Sequence, residues 1–341
     1  MGSVKDLIIL ESPTKEKAGR GRFVFSDRYS VFDWGEMPDH IDNKGLALCI
    51  AAAYFFEKLQ EKNISTHYLG LIEEDKVKKL SEIKKPLPIL ETKLFRVLHP
   101  NLSSNNKYEY DFYKQLKGNY LIPLEVIYRN SLTKESSAYK RLQNGSLHPA
   151  DFGLTTIPEN DIDLKQAYLD VSTKLEPTDR YITWEDAREI AGLSVEKADE
   201  IKKLALTINQ IITQEVEKLG LKNEDGKFEF ALDDKQNIVL VDVLGTLDEC
   251  RFTFKGIPIS KEIARLYYRK SHWYKDLSAA KGKDFQNWKK LVTIQPESLP
   301  VPLKNLISNI YCAFANEITG REWFKGIPEL KELLQAIPEF I

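Results

Sequence analysis

The segment from Lys227 to Arg251, KFEFALDDKQNIVLVDVLGTLDECR, gathers in one short stretch the side chains that phosphate and a hard divalent cation require. Phe228–Leu232 and Ile238–Val241 are rich in strand-forming residues, and Asp233-Asp234-Lys235-Gln236-Asn237 between them is turn chemistry, so a β-hairpin is expected. Side chains alternate along a strand, which puts Lys227 and Glu229 on one face and Phe228 and Phe230 on the other. Asp242 closes the second run, and Asp248 and Arg251 are expected in the Gly-containing loop that follows. A lysine, two carboxylates (Glu229 and Asp242) and an Asp/Arg pair make an inventory for phosphate-and-metal chemistry.

Other segments carry weaker signals. Lys15-Glu16-Lys17-Ala18-Gly19-Arg20-Gly21 lies between two expected strands, where glycines let the backbone approach phosphates and cations neutralise them. It is neither a Walker motif nor a G-x-G-x-x-G, and a solvated basic hairpin loop is the plainer reading. Asp27, Arg28 and Asp33 are unusually polar for the continuation of a strand; a surface turn held by an Asp–Arg pair accounts for them equally. In Pro123–Asn130, Glu125 and Arg129 are four apart in an extended run and so share a face, and the planar fork of Arg129 fits phosphate or carboxylate. Ser136 and Ser137 precede Ala138-Tyr139-Lys140-Arg141, which reads as an anion site at a helix start or as an ordinary N-cap. The five histidines show no ligand spacing, no G-x-S-x-G elbow is present, and nothing pairs a cysteine with a histidine. Hydrolytic nucleophile chemistry is therefore unsupported.

The elements that must position these groups follow from periodicity. Leu7–Leu10 and Arg22–Phe25 read as strands, Lys44–Lys62 as a helix with a 3.6-residue apolar repeat, and Tyr68–Ile72, Leu90–Leu98 and Tyr120–Tyr128 as further strands. Thr183 with Asp186 resembles a capping box ahead of Ala187–Leu193, and Val195–Leu219 has helical spacing. Pro296, Pro300 and Pro302 punctuate the chain before an amphipathic run, Leu303–Ile318. The expectation is an α+β protein: a β-rich N-terminal lobe over 1–130, a mixed α/β lobe over 131–275 and a C-terminal helical segment over 276–341.

At 341 residues the chain has room for more than one domain, and its 42% hydrophobic and 29% charged content is that of an ordinary globular protein. A net charge of −2 provides no general attraction to nucleic acid or to acidic membranes. Three cysteines, far apart and without a C-x-x-C pair, suggest neither a zinc site nor a disulfide framework. Leu7–Leu10 is too short for a signal-peptide core and no stretch could span a bilayer, so a soluble, cytoplasmic protein is expected.

Taken in order, the segments Ser26–Asp33, Asn43-Lys44-Gly45, Pro123–Asn130, Ser137–Arg141, Ser172-Thr173-Lys174-Leu175-Glu176, Lys227–Phe230 and Asp242 through Asp248 to Arg251 resemble the phosphoribosylaminoimidazole-succinocarboxamide synthase (SAICAR synthetase) family. Pro296–Pro300 and Ile318-Thr319-Gly320 resemble the C-terminal region of its longer members. The resemblance implies two lobes with an ATP cleft between them. It also implies an ATP-dependent ligase of purine biosynthesis that joins L-aspartate to 5-aminoimidazole-4-carboxy ribonucleotide through an acyl phosphate, with Mg2+. Such chemistry asks for cations and metal around phosphates more than for a protein nucleophile. By motif position, Lys15 and Lys17 look like the lysines near the ATP phosphates, with Glu125 and Lys227 as further ATP contacts. Glu229 and Asp242 look like the magnesium carboxylates. Arg129, Ser137 and Arg251 look like the grip on the ribonucleotide phosphate, and Asp248 like a contact to its aminoimidazole end. Lys227, Asp248 and Lys174 are the catalytic candidates, and Asp27, Arg28 and Asp33 belong near the substrate carboxylate or the aspartate. Three departures stand out: Thr14 replaces a usual glycine, the Asp242-to-Asp248 spacing is one residue longer than in shorter members, and Pro177-Thr178-Asp179-Arg180 differs from the usual His-Asp-Glu pattern. Family members differ in oligomeric state, so a homo-oligomer stays open. A small-metabolite kinase would use the same lobes and carboxylates. A non-catalytic nucleotide- or RNA-binding module is disfavoured by the near-neutral charge and the lack of a basic stripe with aromatics.

Overall fold

The computed structural model describes residues 4–105, 107–259, 261–284 and 287–340. In chain order the first part holds β1 (Lys5–Glu11), β2 (Gly19–Phe25), α1 (Lys44–Glu61), β3 (Tyr68–Glu73), β4 (Lys76–Lys78), β5 (Ile89–Leu94) and a small hairpin, β6 (Asn101–Leu102) with β7 (Tyr108–Glu109). The second part runs β8 (Tyr120–Leu132), α2 (Ser137–Gln143), β9 (Ile162–Thr173), α3 (Trp184–Ile190), α4 (Val195–Glu217), β10 (Lys222–Leu232), β11 (Ile238–Val241), β12 (Cys250–Phe254) and β13 (Ile257–Pro258). Four helices finish it: α5 (Glu262–Arg269), α6 (His272–Lys283), α7 (Val301–Thr319) and α8 (Leu330–Gln335).

Two antiparallel sheets organise these elements. The first has the order β1-β2-β5-β3-β4, and the second β13-β12-β10-β8-β9 with β11 also on β10. Backbone hydrogen bonds join them: His67 N donates to Leu240 O at 2.9 Å and Leu121 N to Arg96 O at 2.9 Å. The chain is thus α+β with a β-rich N-terminal part, as its sequence leads one to expect. The expected division at 130, however, falls inside β8, whose partners β9 and β10 both belong to the second sheet.

The hairpin forms as the turn chemistry predicts. Asp233 Oδ1 accepts from Lys235 N at 2.9 Å and from Asn237 N at 2.8 Å, an Asx-type cap on the reversal. β10 is longer than expected, and its outer edge is shared. β12 pairs with Lys222–Gly226 and β11 with Glu229–Leu232. The loop 242–249 that links these two strands therefore meets β10 at Lys227 and Glu229. Arg251 was expected in that loop and instead lies in β12, because Cys250, Phe252 and Phe254 alternate into the core as strand residues do. Gly245 within the loop has φ +70 and an added Cβ would lie 2.3 Å from the ring of the fully buried Phe55. Gly245→Ala is expected to lose about 2–4 kcal/mol from left-handed strain plus overpacking, read as a lower denaturant midpoint, with activity falling as the loop shifts.

α1 is buried on nearly every side, with Cys49 through Ala53, Phe55 and Phe56 closed off from solvent. It packs on the first sheet, on α4 and, along much of its length, on α7. The C-terminal helical segment is thus part of the core of this chain. Thr183 caps α3 by accepting from Asp186 N at 3.1 Å, and Ser136 caps α2 by accepting from Tyr139 N at 3.1 Å.

Candidate active site

Alternation along β8 and β10 builds the site. Asp225, Lys227, Glu229 and Ala231 share one face of β10, while Phe228, Phe230 and Leu232 point into the main core. Opposite them on β8, Glu125 pairs in register with Glu229 and Arg129 with Asp225. Between Glu125 and Leu121 the register slips, at a point where Pro123 has no N–H to give to the ladder. Read along the strands, the face changes from apolar (Leu121, Ala231) through mixed charge (Glu125, Glu229, Lys227) to an arginine end (Arg129, Asp225). The six steps from Ala231 to Asp225 span about 20 Å at strand rise.

At the apolar end, Leu121, Ala231, Val239, Val241 and Phe95 form a small cluster separate from the main core, with Ala18 and Leu175 against it. The charged centre is an ion-pair network. Lys174 Nζ lies 2.7 Å from Glu125 Oε1 and 2.7 Å from Glu229 Oε1, and Lys227 Nζ is 2.8 Å from Glu125 Oε1. Burial works against the charge on Glu125, but Lys227 and Lys174 outweigh it and hold the carboxyl below its ordinary value. Burial likewise opposes the charge on both lysines. The carboxylates of Glu229 and Glu125 raise Lys174, and those of Glu125 and Glu249 raise Lys227. Asp242, at φ 58 where β11 ends and the chain bends away from β10, pairs with Lys5 of β1. Its burial would raise the carboxyl, and the Lys5 ammonium prevails and holds it low. Glu229 goes the other way, pushed up to about 7 by burial and then by the nearby Asp242 charge. Two adjacent carboxylates, one of them reluctant to ionise, are suited to a cation brought in with phosphate oxygens. Glu229 Oε1 is buried and, among the described residues, accepts no hydrogen bond of good geometry despite its ion pair.

At the arginine end, Arg129 is 3% exposed. Its Nη2 donates to Ser137 Oγ at 3.0 Å and to Asp170 Oδ2 at 3.2 Å, and Nη1 lies 3.5 Å from Asp225. Ser137 Oγ is also 2.7 Å from Tyr181 OH, whose ring stacks under the Arg141 guanidinium at 4.1 Å. Arg251 Nη1 is 3.4 Å from Asp225 and, unlike Arg129, remains partly exposed. A cavity of about 280 Å³ collects Glu125, Arg129, Ser137, Lys227, Asp248 and Arg251, six of the fourteen residues singled out from sequence. Asp179 lines it too, its carboxyl raised by burial and by Glu125. A second cavity of about 530 Å³ shares Arg251, Glu262 and Arg265 with the first and reaches Asp33.

Other candidates lie elsewhere or are engaged differently. Lys15 and Lys17 sit on an exposed turn; Lys17, 78% exposed, only approaches Glu11 at 3.5 Å. Thr14 closes that turn by accepting from Lys17 N at 3.0 Å, a role a glycine could not take. It is Lys5, unmarked in the sequence, that enters the charged centre. Asp27 accepts from Gly45 N at 2.9 Å and Asn43 N at 3.3 Å, so it holds the start of α1. Arg28 pairs with Asp6 at 2.7 Å, and Asp33, 86% exposed, pairs with Lys281 of α6 at 3.1 Å. These three do not meet one another as a cluster. Asp248 has both oxygens occupied, by Lys44 and Tyr311. Lys44 was visible only as part of a motif, and Tyr311, Asp170 and Asp225 carried no local signal.

Comparison with known proteins bears on this geometry. The sequence pattern of a family described as SAICAR synthetase matches residues 2–279. A relative from Archaeoglobus fulgidus, named for phosphoribosylaminoimidazole-succinocarboxamide synthase, is 49% identical over the full length of both chains. The synthase of that name from Thermoplasma acidophilum is 32% identical over 88% of this chain and 93% of its own. In fold, the chain is similar to the Saccharomyces cerevisiae SAICAR synthase solved with SAICAR, at TM-score 0.65 and 21% identity over 95% of this chain and 94% of that one. A SAICAR synthetase solved with ADP is similar at TM-score 0.55 and 22% identity, over 87% of this chain and 99% of that one.

Proposed function

The chain belongs to the SAICAR synthetase family, and from that premise we propose a division of labour along the face shared by β8 and β10. The protein is an ATP-dependent ligase of purine biosynthesis. It joins L-aspartate to 5-aminoimidazole-4-carboxy ribonucleotide and releases ADP and phosphate. The observation that carries the proposal is the order of side chains along the face, from apolar to charged to arginine-rich. ATP has its base at the apolar cluster of Leu121, Ala231, Val239 and Val241. Its phosphates lie toward Lys174, Lys227 and Lys5, and the ribonucleotide phosphate lies at Arg251, Arg129 and Ser137. Glu229 and Asp242 are the residues that would hold Mg2+, which when bound neutralises charge on the triphosphate.

The residues then act as orienting charges. Lys174 and Lys227, kept cationic by their carboxylate neighbours, draw the γ-phosphoryl group toward the substrate carboxylate. Attack of a carboxylate oxygen on the γ-phosphorus breaks the bond to ADP and forms an acyl phosphate. The aspartate amine then attacks the acyl carbon, phosphate leaves with the bonding pair, and the nitrogen gives up a proton to form the amide. The free, buried cysteines support a reducing, cytoplasmic setting, and no helix among the described residues is long and apolar enough to cross a membrane.

The test is substrate dependence. ADP is expected to appear only when the ribonucleotide is present, and the succinocarboxamide only when aspartate is added as well. The kinase reading is not favoured; ADP release with an unrelated acceptor in place of the ribonucleotide would revive it and overturn the ligase assignment of this site.

A further inference from the structure

Asp248 is where three distant parts of the chain meet. Lys44 Nζ, at the head of α1, donates to Asp248 Oδ2 at 2.6 Å. The Tyr311 hydroxyl, from the middle of α7, donates to Oδ1 at 2.6 Å. All three side chains are buried, and the Lys44 ammonium lies 5.5 Å over the Tyr311 ring. Asp248 nevertheless lines the cavity beside Arg251 and Lys261. A carboxylate with one donor on each oxygen cannot turn about its Cβ–Cγ bond without breaking both hydrogen bonds. Tyr311 stands beyond residue 279, where the family pattern ends.

We propose that Tyr311 is a positioning residue whose hydroxyl fixes the Asp248 carboxylate toward the ribonucleotide, making the C-terminal helix part of the support of the active site. The inference rests on the reading that Asp248 contacts the ribonucleotide. Electrostatics agree with the geometry. Burial opposes the charge on Asp248, and Lys44 of α1, Lys261 at the head of α5 and the Tyr311 hydroxyl of α7 together hold its carboxyl below the ordinary value. Burial and then Asp248 keep the Tyr311 phenol protonated and able to donate.

Tyr311→Phe removes the hydroxyl and keeps the ring packed between α1 and α7. It is expected to raise the KM for the ribonucleotide about tenfold, the size of one hydrogen bond to a charged group, with the KM values for ATP and aspartate unchanged. Loss of a donor to the ionised carboxylate also moves the acid limb of kcat/KM for the ribonucleotide to higher pH. Ser308→Ala removes the other tie from α7, the 2.6 Å bond from Ser308 Oγ to Asp42 O, and should change neither quantity. If Tyr311→Phe matches Ser308→Ala, losing thermal stability alone, the proposal is overturned. Asp248→Asn, which keeps an acceptor for Lys44, separates the two failures. A raised ribonucleotide KM in Asp248→Asn with none in Tyr311→Phe removes only the role of Tyr311. An unchanged KM in Asp248→Asn removes the reading of Asp248 and the inference with it.

Discussion

Asp242→Asn is expected to lower kcat by about a thousandfold or more while the protein stays folded, since losing one carboxylate of a phosphate-bound cation forfeits several kcal/mol of charge stabilisation. The substitution suits the test for a conformational reason. Asp242 occupies the left-handed region at φ 58, and asparagine is among the few residues that tolerate it well. The backbone bend after β11 is therefore retained, and the change reduces to one lost charge. Lys5 loses its partner, and the Glu229 carboxyl, which burial and the Asp242 charge push up, is released toward its ordinary value. Steady-state kinetics across a magnesium titration, beside far-ultraviolet circular dichroism, check the outcome. Full activity in the variant would remove Asp242 from the metal site.

Arg129→Met and Arg251→Met should fail in different ways although both residues are read as phosphate contacts. Arg129 is buried against Asp170 and Asp225, and methionine leaves those carboxylates closed in without it. Asp170 keeps Arg141 and Asp225 keeps Arg251, so the expected loss is about 1–3 kcal/mol of stability, seen as a lower denaturant midpoint. Arg251 is partly exposed and touches Asp225 only at 3.4 Å. Its loss is expected to leave the midpoint nearly unchanged and to raise the ribonucleotide KM about a hundredfold, the cost of one truncated charge-assisted contact. Equal midpoints for the two variants would mean that Arg129 is not the structural arginine the geometry makes it.

How far the site was legible in sequence depends on how far apart its parts lie along the chain. The face carrying Lys227 and Glu229 was legible because a strand has a period of two, and the reversal at Asp233–Asn237 because an aspartate there caps its own turn. The common face of Glu125 and Arg129 was legible for the same reason, and it survives a register slip at Pro123. The basic link at Lys15 and Lys17 had the composition of a phosphate loop, but composition does not say which lysine of a strand pair reaches inward. The structure leaves both on an exposed turn and sends in Lys5, whose neighbours Leu7–Leu10 are apolar on both faces and mark neither.

Sequence alone determined the inventory and the local elements: which strands alternate, which helices are capped, and which charges stand near one another along β8, β10 and the hairpin. Tertiary structure decided the pairings. Lys5 with Asp242 spans 237 residues, Lys44 with Asp248 spans 204, and Tyr311 with Asp248 spans 63. No periodicity reaches across such separations. They are fixed by the packing of α1 between a sheet and α7, and by the shared edge of β10, where β11 and β12 leave a gap for loop 242–249. Close packing accepts few arrangements of these elements, and it is that choice which turns scattered charges into one site.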